Sequence, residues 1–275
     1  MIMKLKDGKS KVLTFSYDDG VKQDIRLVEI FNRYGLKGTF NINSGQYLPE
    51  EAEPENEYAR MKLSEAKALF TDSQHEVALH GYEHKFLKEL NEQETMFEIL
   101  EDKKHIEKTY GVIARGMAYA FGNYNEQSIE CMKKCGVVYS RTVFGTDQFE
   151  FPEKWLELNP TCHHSNEKLM EFGKFFVEDK NCYTGESLLF YVWGHSYEFD
   201  INNDWHVIEN FAEYISGKDD VWYATNIEIY DYVKAYEGLI LSEQKDMVYN
   251  PSALDVWFYE NNKIYCVKSG ETISL

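Results

Sequence analysis

A chain of 275 residues with 29 Lys and Arg against 47 Asp and Glu carries a formal net charge of −18. That balance excludes nucleic acid and anionic membranes as partners, because their phosphates need neutralising cations. A composition of 43% hydrophobic and 15% aromatic residues excludes a disordered chain, and at this length one large α/β barrel or two ordinary domains are both normal.

The N-terminal MIMKLKDGKSKVLTF has lysines but no apolar run of the length a signal peptide needs, and no stretch offers the roughly 18 apolar residues of a membrane span. Cys131, Cys135, Cys162, Cys182 and Cys266 form no CxxC pair and read as reduced, mostly buried thiols. The expectation is a cytoplasmic protein.

Short β-rich runs alternate with longer helical stretches. Strands are expected at Lys11–Phe15, Gly38–Ile42, Glu76–Leu79, Gly116–Tyr119, Val137–Tyr139, Leu188–Trp193 and Trp222–Thr225. Helices are expected at Asp24–Tyr34, from Ser64 onward with Ser64 as N-cap, and at Glu92–Tyr110, Glu126–Lys134, Glu167–Phe176, Trp205–Ile215 and Ile227–Tyr236. An acidic, Pro-containing loop, LPEEAEPENEYAR, precedes the second helix. About seven βα units point to an α/β, TIM-like barrel over residues 1–240. Residues 241–275 alternate around an Asn-Asn turn signal and read as a short C-terminal β appendage of one or two hairpin strands. It would pack on the barrel or on a second copy of the chain as a homo-oligomer.

In parallel barrels chemistry gathers at the C-terminal ends of the strands. There this sequence places Ser16-Tyr17-Asp18-Asp19-Gly20, His80-Gly81-Tyr82-Glu83-His84 and Gly194-His195-Ser196-Tyr197-Glu198. Two histidines four residues apart with an Asp from another strand end make a facial Asp-His-His set, which leaves positions for water and substrate on a catalytic divalent metal. Adjacent carboxylates in the DDG turn repel each other, and a cation relieves that repulsion.

TFSYDDG, HGYEH and WGHSYEF, in that order and spacing, resemble the polysaccharide deacetylase (NodB homology) family of metal-dependent carbohydrate esterases, over Val12 to Tyr236. The resemblance implies a distorted (β/α)7 barrel and hydrolysis of N- or O-acetyl groups on sugars with zinc or another divalent metal such as cobalt, nickel or manganese. By it Asp18 is the general base, Asp19, His80 and His84 hold the metal, and His195 is the general acid. Asp18 takes a proton from water, that water attacks the acyl carbon, and His195 protonates the departing amine or alkoxide.

The third family motif, often Arg-Pro-Pro-Tyr-Gly, stands here as Ala118-Tyr119-Ala120-Phe121-Gly122. The arginine that pairs with the base is thus missing from its usual place. Arg115 lies at the wrong rim, and Arg141, at the end of the next strand, is the expected replacement. A backbone amide near Tyr119 is the expected oxyanion donor. His163 and His164 are read as substrate contacts or as groups that orient the site. Asp147 and Glu198 are the candidates to orient His195, and Trp193 and Tyr197, with Tyr17, Tyr82 and Tyr119, are rim aromatics for stacking on sugar. The expected partner is a small or oligomeric acetylated sugar, with a ureide C–N bond or a non-catalytic carbohydrate-binding role as alternatives.

Overall fold

The computed structural model describes residues 1–56 and 58–275; Glu57 of the acidic loop lies outside the described residues. A short N-terminal strand, β1 (Ile2–Lys4), leads into β2 (Lys11–Asp18), the strand on which the architecture turns. Its side chains alternate by pleat. Phe15 faces outward, its ring 4.5 Å from that of Phe31 and 6.2 Å from that of Phe211. Thr14, Ser16 and Asp18 face the interior, where Thr14 donates to Asn226 (2.9 Å) and Asn41 donates to Ser16 (2.8 Å) and Asp18 (2.9 Å). The barrel therefore buries polar groups along its axis and keeps its apolar core between sheet and helices.

Strands β3 (Gly38–Ile42), β4 (Glu76–Leu79), β5 (Gly116–Ala118) and β6 (Tyr139–Arg141) follow on one side of β2; β7 (Cys162–His163) and β8 (Leu188–Gly194) lie on the other. The order is β6-β5-β4-β3-β2-β8-β7 with every pairing parallel. A further strand, β9 (Val221–Tyr223), pairs with Lys11–Leu13 of β2, below the stretch Phe15–Asp18 that β3 occupies. Leu158 bridges Arg141 of β6, and Cys162 pairs with Val192 of β8. One short segment thus draws both edges of the seven-stranded row together as a distorted barrel.

The helices are α1 (Asp24–Arg33), α2 (Leu63–Phe70), α3 (Glu92–Tyr110), α4 (Glu126–Lys134), α5 (Leu169–Glu178), α6 (Tyr197–Ile201), α7 (Trp205–Ile215) and α8 (Asn226–Glu237). The start of α3 is a capping box: Asn91 accepts from the Glu94 amide (3.0 Å) while the Glu94 carboxylate accepts from the Asn91 amide (3.0 Å). It stops at Gly111, whose φ of 70° suits a left-handed cap. No helix of the described residues is long and apolar enough to cross a membrane.

Several expected boundaries move. The first strand runs on to Asp18, so this carboxylate sits on the strand itself. The strand expected at Val137–Tyr139 lies at Tyr139–Arg141, because Val138 pairs with Arg115 before the ladder begins. Ser64 is not the cap of α2: its amide and hydroxyl both donate to Glu50 (2.9 and 2.6 Å), and the Glu65 carboxylate accepts from the Lys62 amide instead. The tail holds β10 (Ile240–Leu241), β11 (Met247–Tyr249), β12 (Val256–Glu260), β13 (Lys263–Val267) and β14 (Thr272–Ser274). These make two antiparallel three-stranded sheets, β1-β12-β13 and β10-β11-β14, so the appendage exceeds one or two hairpin strands and recruits the N-terminal strand. Val248, Phe258 and Val267 form its own small core.

At Gly116 an added Cβ would lie 2.1 Å from the hydroxyl of Tyr139, which is fixed by donating to Glu76 (2.7 Å). Gly116→Ala is expected to cost about 1–3 kcal/mol by overpacking, read as a lower urea midpoint with an unchanged m-value.

Candidate active site

The first turn after β2 places Asp19 in the left-handed region, at φ 84°, and His84 has φ 58°. Such backbone on non-glycine residues is strained and persists only where the surroundings enforce it. His80 Nδ1 donates to the carbonyl of Ala118 (2.9 Å), which fixes the tautomer and leaves the Nε2 lone pair facing inward. Nε2 of His80 and of His84 lie 3.7 and 3.4 Å from Asp19 Oδ1, and the three ligand atoms fall within 4.8 Å of one another. Burial pushes His80 down and His84 down to about 4, so both imidazoles are neutral at neutral pH and each has one nitrogen lone pair to offer. Two imidazole lone pairs and one carboxylate converging on one point fit a divalent cation such as zinc.

Asp18 lies beside them, buried. Its Oδ2 pairs with the wholly buried Arg141, and its Oδ1 accepts from Asn41 (2.9 Å). Burial alone would raise this carboxyl, but Arg141, His80 and His195 more than reverse it and hold it at about 2. Arg141 is held in turn, donating to the Thr142 carbonyl (3.0 Å) with its guanidinium 4.3 Å from the ring centre of Trp193. Asp18 is thus a permanent anion at neutral pH.

His195, just past β8, brings Nε2 to 3.9 Å from Asp18 Oδ2 and gives Nδ1 to Glu198 Oε1 at 3.0 Å. Burial lowers this imidazole, but the hydrogen bond to Glu198 and the charge of Asp18 outweigh it and raise it above its ordinary value. An anion and an imidazole that keeps its proton are the two halves of a base and acid pair. Between Asp147 and Glu198, the structure puts Glu198 on His195, while the exposed Asp147 gives its amide to the Thr161 carbonyl.

Other expected residues sit differently. Tyr119 is buried, its hydroxyl donates to the Leu156 carbonyl (2.8 Å), and its amide donates to the Arg141 carbonyl (3.1 Å). Tyr119 itself therefore has no free amide for an oxyanion. Trp193 is buried over Arg141 and is a wall behind the Asp18–Arg141 pair, not an open stacking face. Tyr197 lies half-buried at the rim, its ring 5.1 Å from His195 and 4.9 Å from Tyr58. His163 and His164 both reach Glu198 Oε2, at 3.2 and 3.0 Å. Tyr17 is buried on the outer face of β2, and Tyr82 is half-buried under α3.

The sequence reading missed the groups that hold these residues. Asn43 donates to the carbonyls of His80 (2.8 Å) and Gly81 (2.9 Å). From α3, Asp102 accepts the amides of His80 and Ser44 (both 2.9 Å), and Glu98 accepts the amide of Glu83 (2.9 Å). Arg60 donates to Asp19 (2.8 Å) and Asn43 (3.3 Å). The alternating NIN at the end of β3 and the Glu98/Asp102 spacing on α3 were the available signals. Arg60 had none, since it arrives from a loop.

The profile of the polysaccharide deacetylase family matches residues 5–140. Among solved structures, the putative polysaccharide deacetylase from Mycobacterium smegmatis is 15% identical over 86% of this chain and 96% of that one, with a TM-score of 0.56. The family 4 carbohydrate esterase from Streptomyces lividans, in complex with acetate, is 15% identical over 78% of this chain and 91% of that one, with a TM-score of 0.51. The Streptococcus pyogenes deacetylase PplD, in complex with acetate, is 19% identical over 52% of this chain, with a TM-score of 0.46; the match spans 61% of its length. At these identities the likeness to the first two shows the fold. No curated protein sequence matches the chain.

Asp24, at the start of α1, accepts from the Ser196 hydroxyl (2.6 Å) and so pins the turn that carries His195. Burial pushes its carboxyl up to about 8, against the Ser196 hydrogen bond and helped by the charge of Asp19. A folded value raised above the unfolded 3.8 gives stability that is full below about pH 4 and lost as pH rises through 8. Asp24→Asn removes that loss. Relative to the parent it should gain about 2–4 kcal/mol between pH 5 and pH 8 in urea unfolding; a pH-independent difference would show Asp24 already ionised.

Proposed function

The chain belongs to the polysaccharide deacetylase family, hydrolases of carbon–nitrogen bonds other than peptide bonds, and from that premise we propose that it removes acetyl groups from an N- or O-acetylated sugar. The observation that carries the reading is the juxtaposition of an anionic Asp18 and a proton-holding His195, 3.9 Å apart, beside the Asp19, His80 and His84 set. Asp19, His80 and His84 would hold the divalent cation, zinc first among the choices. When bound, that cation supplies Lewis acidity, polarising the acyl oxygen and making water acidic enough to lose a proton to a carboxylate as weakly basic as Asp18. Asp18 then receives the water's proton and His195 delivers one to the departing amine or alkoxide.

The turn after β5 supports the sugar reading. Phe121, 53% exposed, stacks on Phe86, 41% exposed, with ring centres 4.0 Å apart and planes at 6°. Phe121 also packs 4.3 Å from His84. An aromatic face beside the cation site suits the apolar face of a pyranose ring. The left-handed backbone of Phe121 (φ 58°) holds that ring at the rim, and its amide takes over the oxyanion role that Tyr119 cannot fill. The net charge of −18 favours a neutral or amino-sugar substrate over a polyanion, nucleic acid or anionic membrane. Five unpaired thiols suit the cytoplasm, so a small intracellular amino sugar or oligosaccharide is the proposed substrate. A second copy would dock through the exposed Ile240, Leu241 and Met247 of the appendage.

Acetate release from a panel of acetylated mono- and oligosaccharides, with metal analysis of the same protein, tests this. Asp18→Asn should retain the metal and lose at least about 10³-fold in kcat, while His80→Ala should lose the metal. Full activity in both, or sub-stoichiometric metal after reconstitution, overturns the assignment. Turnover of cyclic ureides without acetate release would replace the substrate class. Phe121→Ala should raise KM for sugars with little change in kcat.

Arg141→Ala tests the base. Without the guanidinium, Asp18 rises from about 2 toward or beyond the usual carboxylate range. The acidic limb of the rate profile should then move to higher pH; an unmoved limb with full activity would remove Arg141 from the site.

A further inference from the structure

His163, His164 and Glu198 also bring potential ligand atoms within 4.8 Å of one another. By composition the cluster could hold a second cation. The placement of protons decides otherwise. Ser165 donates its amide to Nδ1 of His163 (3.2 Å), so the His163 proton sits on Nε2, which faces Glu198 Oε2 at 3.2 Å. Nδ1 of His164 is buried with no partner among the described residues and is packed so tightly on Gly194 that an added Cβ there would lie 2.0 Å away.

Were Nε2 of His164 a metal ligand, the ring's proton would be forced onto Nδ1, a buried donor without an acceptor, whereas an unbonded lone pair there is the cheaper state. His80 shows the opposite arrangement, with Nδ1–H satisfied by the Ala118 carbonyl and Nε2 left bare. One cluster is therefore built to ligate and the other to donate.

We propose that His163 and His164 are positioning residues that act on the acid His195 through Glu198, each giving an Nε2–H to Oε2 so that Oε1 stays fixed on His195 Nδ1. The proposal rests on the reading of His195 as the acid. The rings are themselves immobile. His164 is stacked between Tyr17 (ring centres 5.6 Å apart, planes at 12°) and Phe199 (4.2 Å, 26°). His163 stands edge-on to Trp193 at 4.6 Å and 78°. Burial holds His163 down to about 3, so at neutral pH it donates as a neutral imidazole. The charge of Glu198, drawn well below the usual carboxylate range by its imidazole partners against the effect of burial, is directed but not cancelled. Three imidazole nitrogens within 3.2 Å of one carboxylate fix the acid in angle as well as in distance. A single hydrogen bond to a half-exposed glutamate would leave it free to swing.

The test uses the full-length, metal-reconstituted protein and the variants His163→Ala, His163→Gln and His164→Ala. Bound zinc, thermal unfolding and acetate-release kinetics are measured for each. The alanine variants should lose about 10–100-fold in kcat, with KM within about twofold and one zinc per chain retained. His163→Gln, whose amide can still donate to Oε2, should recover most of the loss.

Two zinc ions in the parent, falling to one in His163→Ala, would overturn the clamp in favour of a second metal site. Wild-type kcat in the alanine variants, or a glutamine variant as slow as alanine, would overturn it as well. Imidazole proton NMR reads the clamp without turnover. The His195 Nδ1–H signal, assigned by its loss in His195→Gln, should be protected from exchange in the parent and exposed in His163→Ala. Should no sugar release acetate, the substrate reading fails while this signal still decides the clamp.

Discussion

The buried pair of Asp18 and Arg141 is the constraint around which the rest is arranged. A carboxylate taken out of water costs several kcal/mol unless it is paired and hydrogen-bonded, and here the cost recurs along the axis of the barrel. Ser16, Asn41, Thr14, Asn226 and Tyr191 form a polar interior where a parallel barrel usually packs branched apolar side chains. The apolar core is accordingly displaced to the outer face of β2, against α1 and α7. The pairing also accounts for Ala118. Registers at Ala118 and Arg141 are adjacent in the ladder, so an arginine moved by one strand still reaches the same carboxylate from the same rim.

A second tier of carboxylates holds backbone instead of side chains. Glu98 and Asp102, four residues apart on one face of α3, accept amides from the turns that carry Ser44, His80 and Glu83. The candidate metal ligands are thereby set by a rigid helix and not by their own loop. This matters because Asp19 and His84 occupy strained backbone that an unsupported turn would relax. Glu198 repeats the device for the acid, with histidines as the donors.

How much of this was legible follows from the range of each interaction. Asp18, Asp19, His80, His84 and His195 stood out because each falls at the end of a strand within a compact local motif, and the parallel fold carries all strand ends to one rim. Arg141 could be named by the same rim argument once Ala118 had left its place vacant. Arg60, Asn43 and Asp102 could not, because each meets its partner across elements whose pairing the sequence does not state. Periodicity assigned α3 an apolar stripe from Ile99 and Ile106, yet the same face buries Glu98 and Asp102. A hydrophobic pattern cannot distinguish a solvated carboxylate from one that caps a distant amide. Tyr119 misled for a related reason: its motif position was right for a donor, but its amide was already committed to the neighbouring strand.

The pairing of β1 with β12 joins segments about 250 residues apart, and the amino group of Met1 meets Glu260 at 2.8 Å. During synthesis, Ile2–Lys4 leaves the ribosome long before Val256–Glu260 and has no strand partner until that strand emerges. The row from β2 to β6 can assemble in the meantime, since those strands pair with near neighbours in sequence, but the appendage is the last part to close. The edge of β1 is therefore unpaired for most of translation. A change in Ile2–Lys4 would perturb this final docking step and leave the candidate site at the opposite rim untouched.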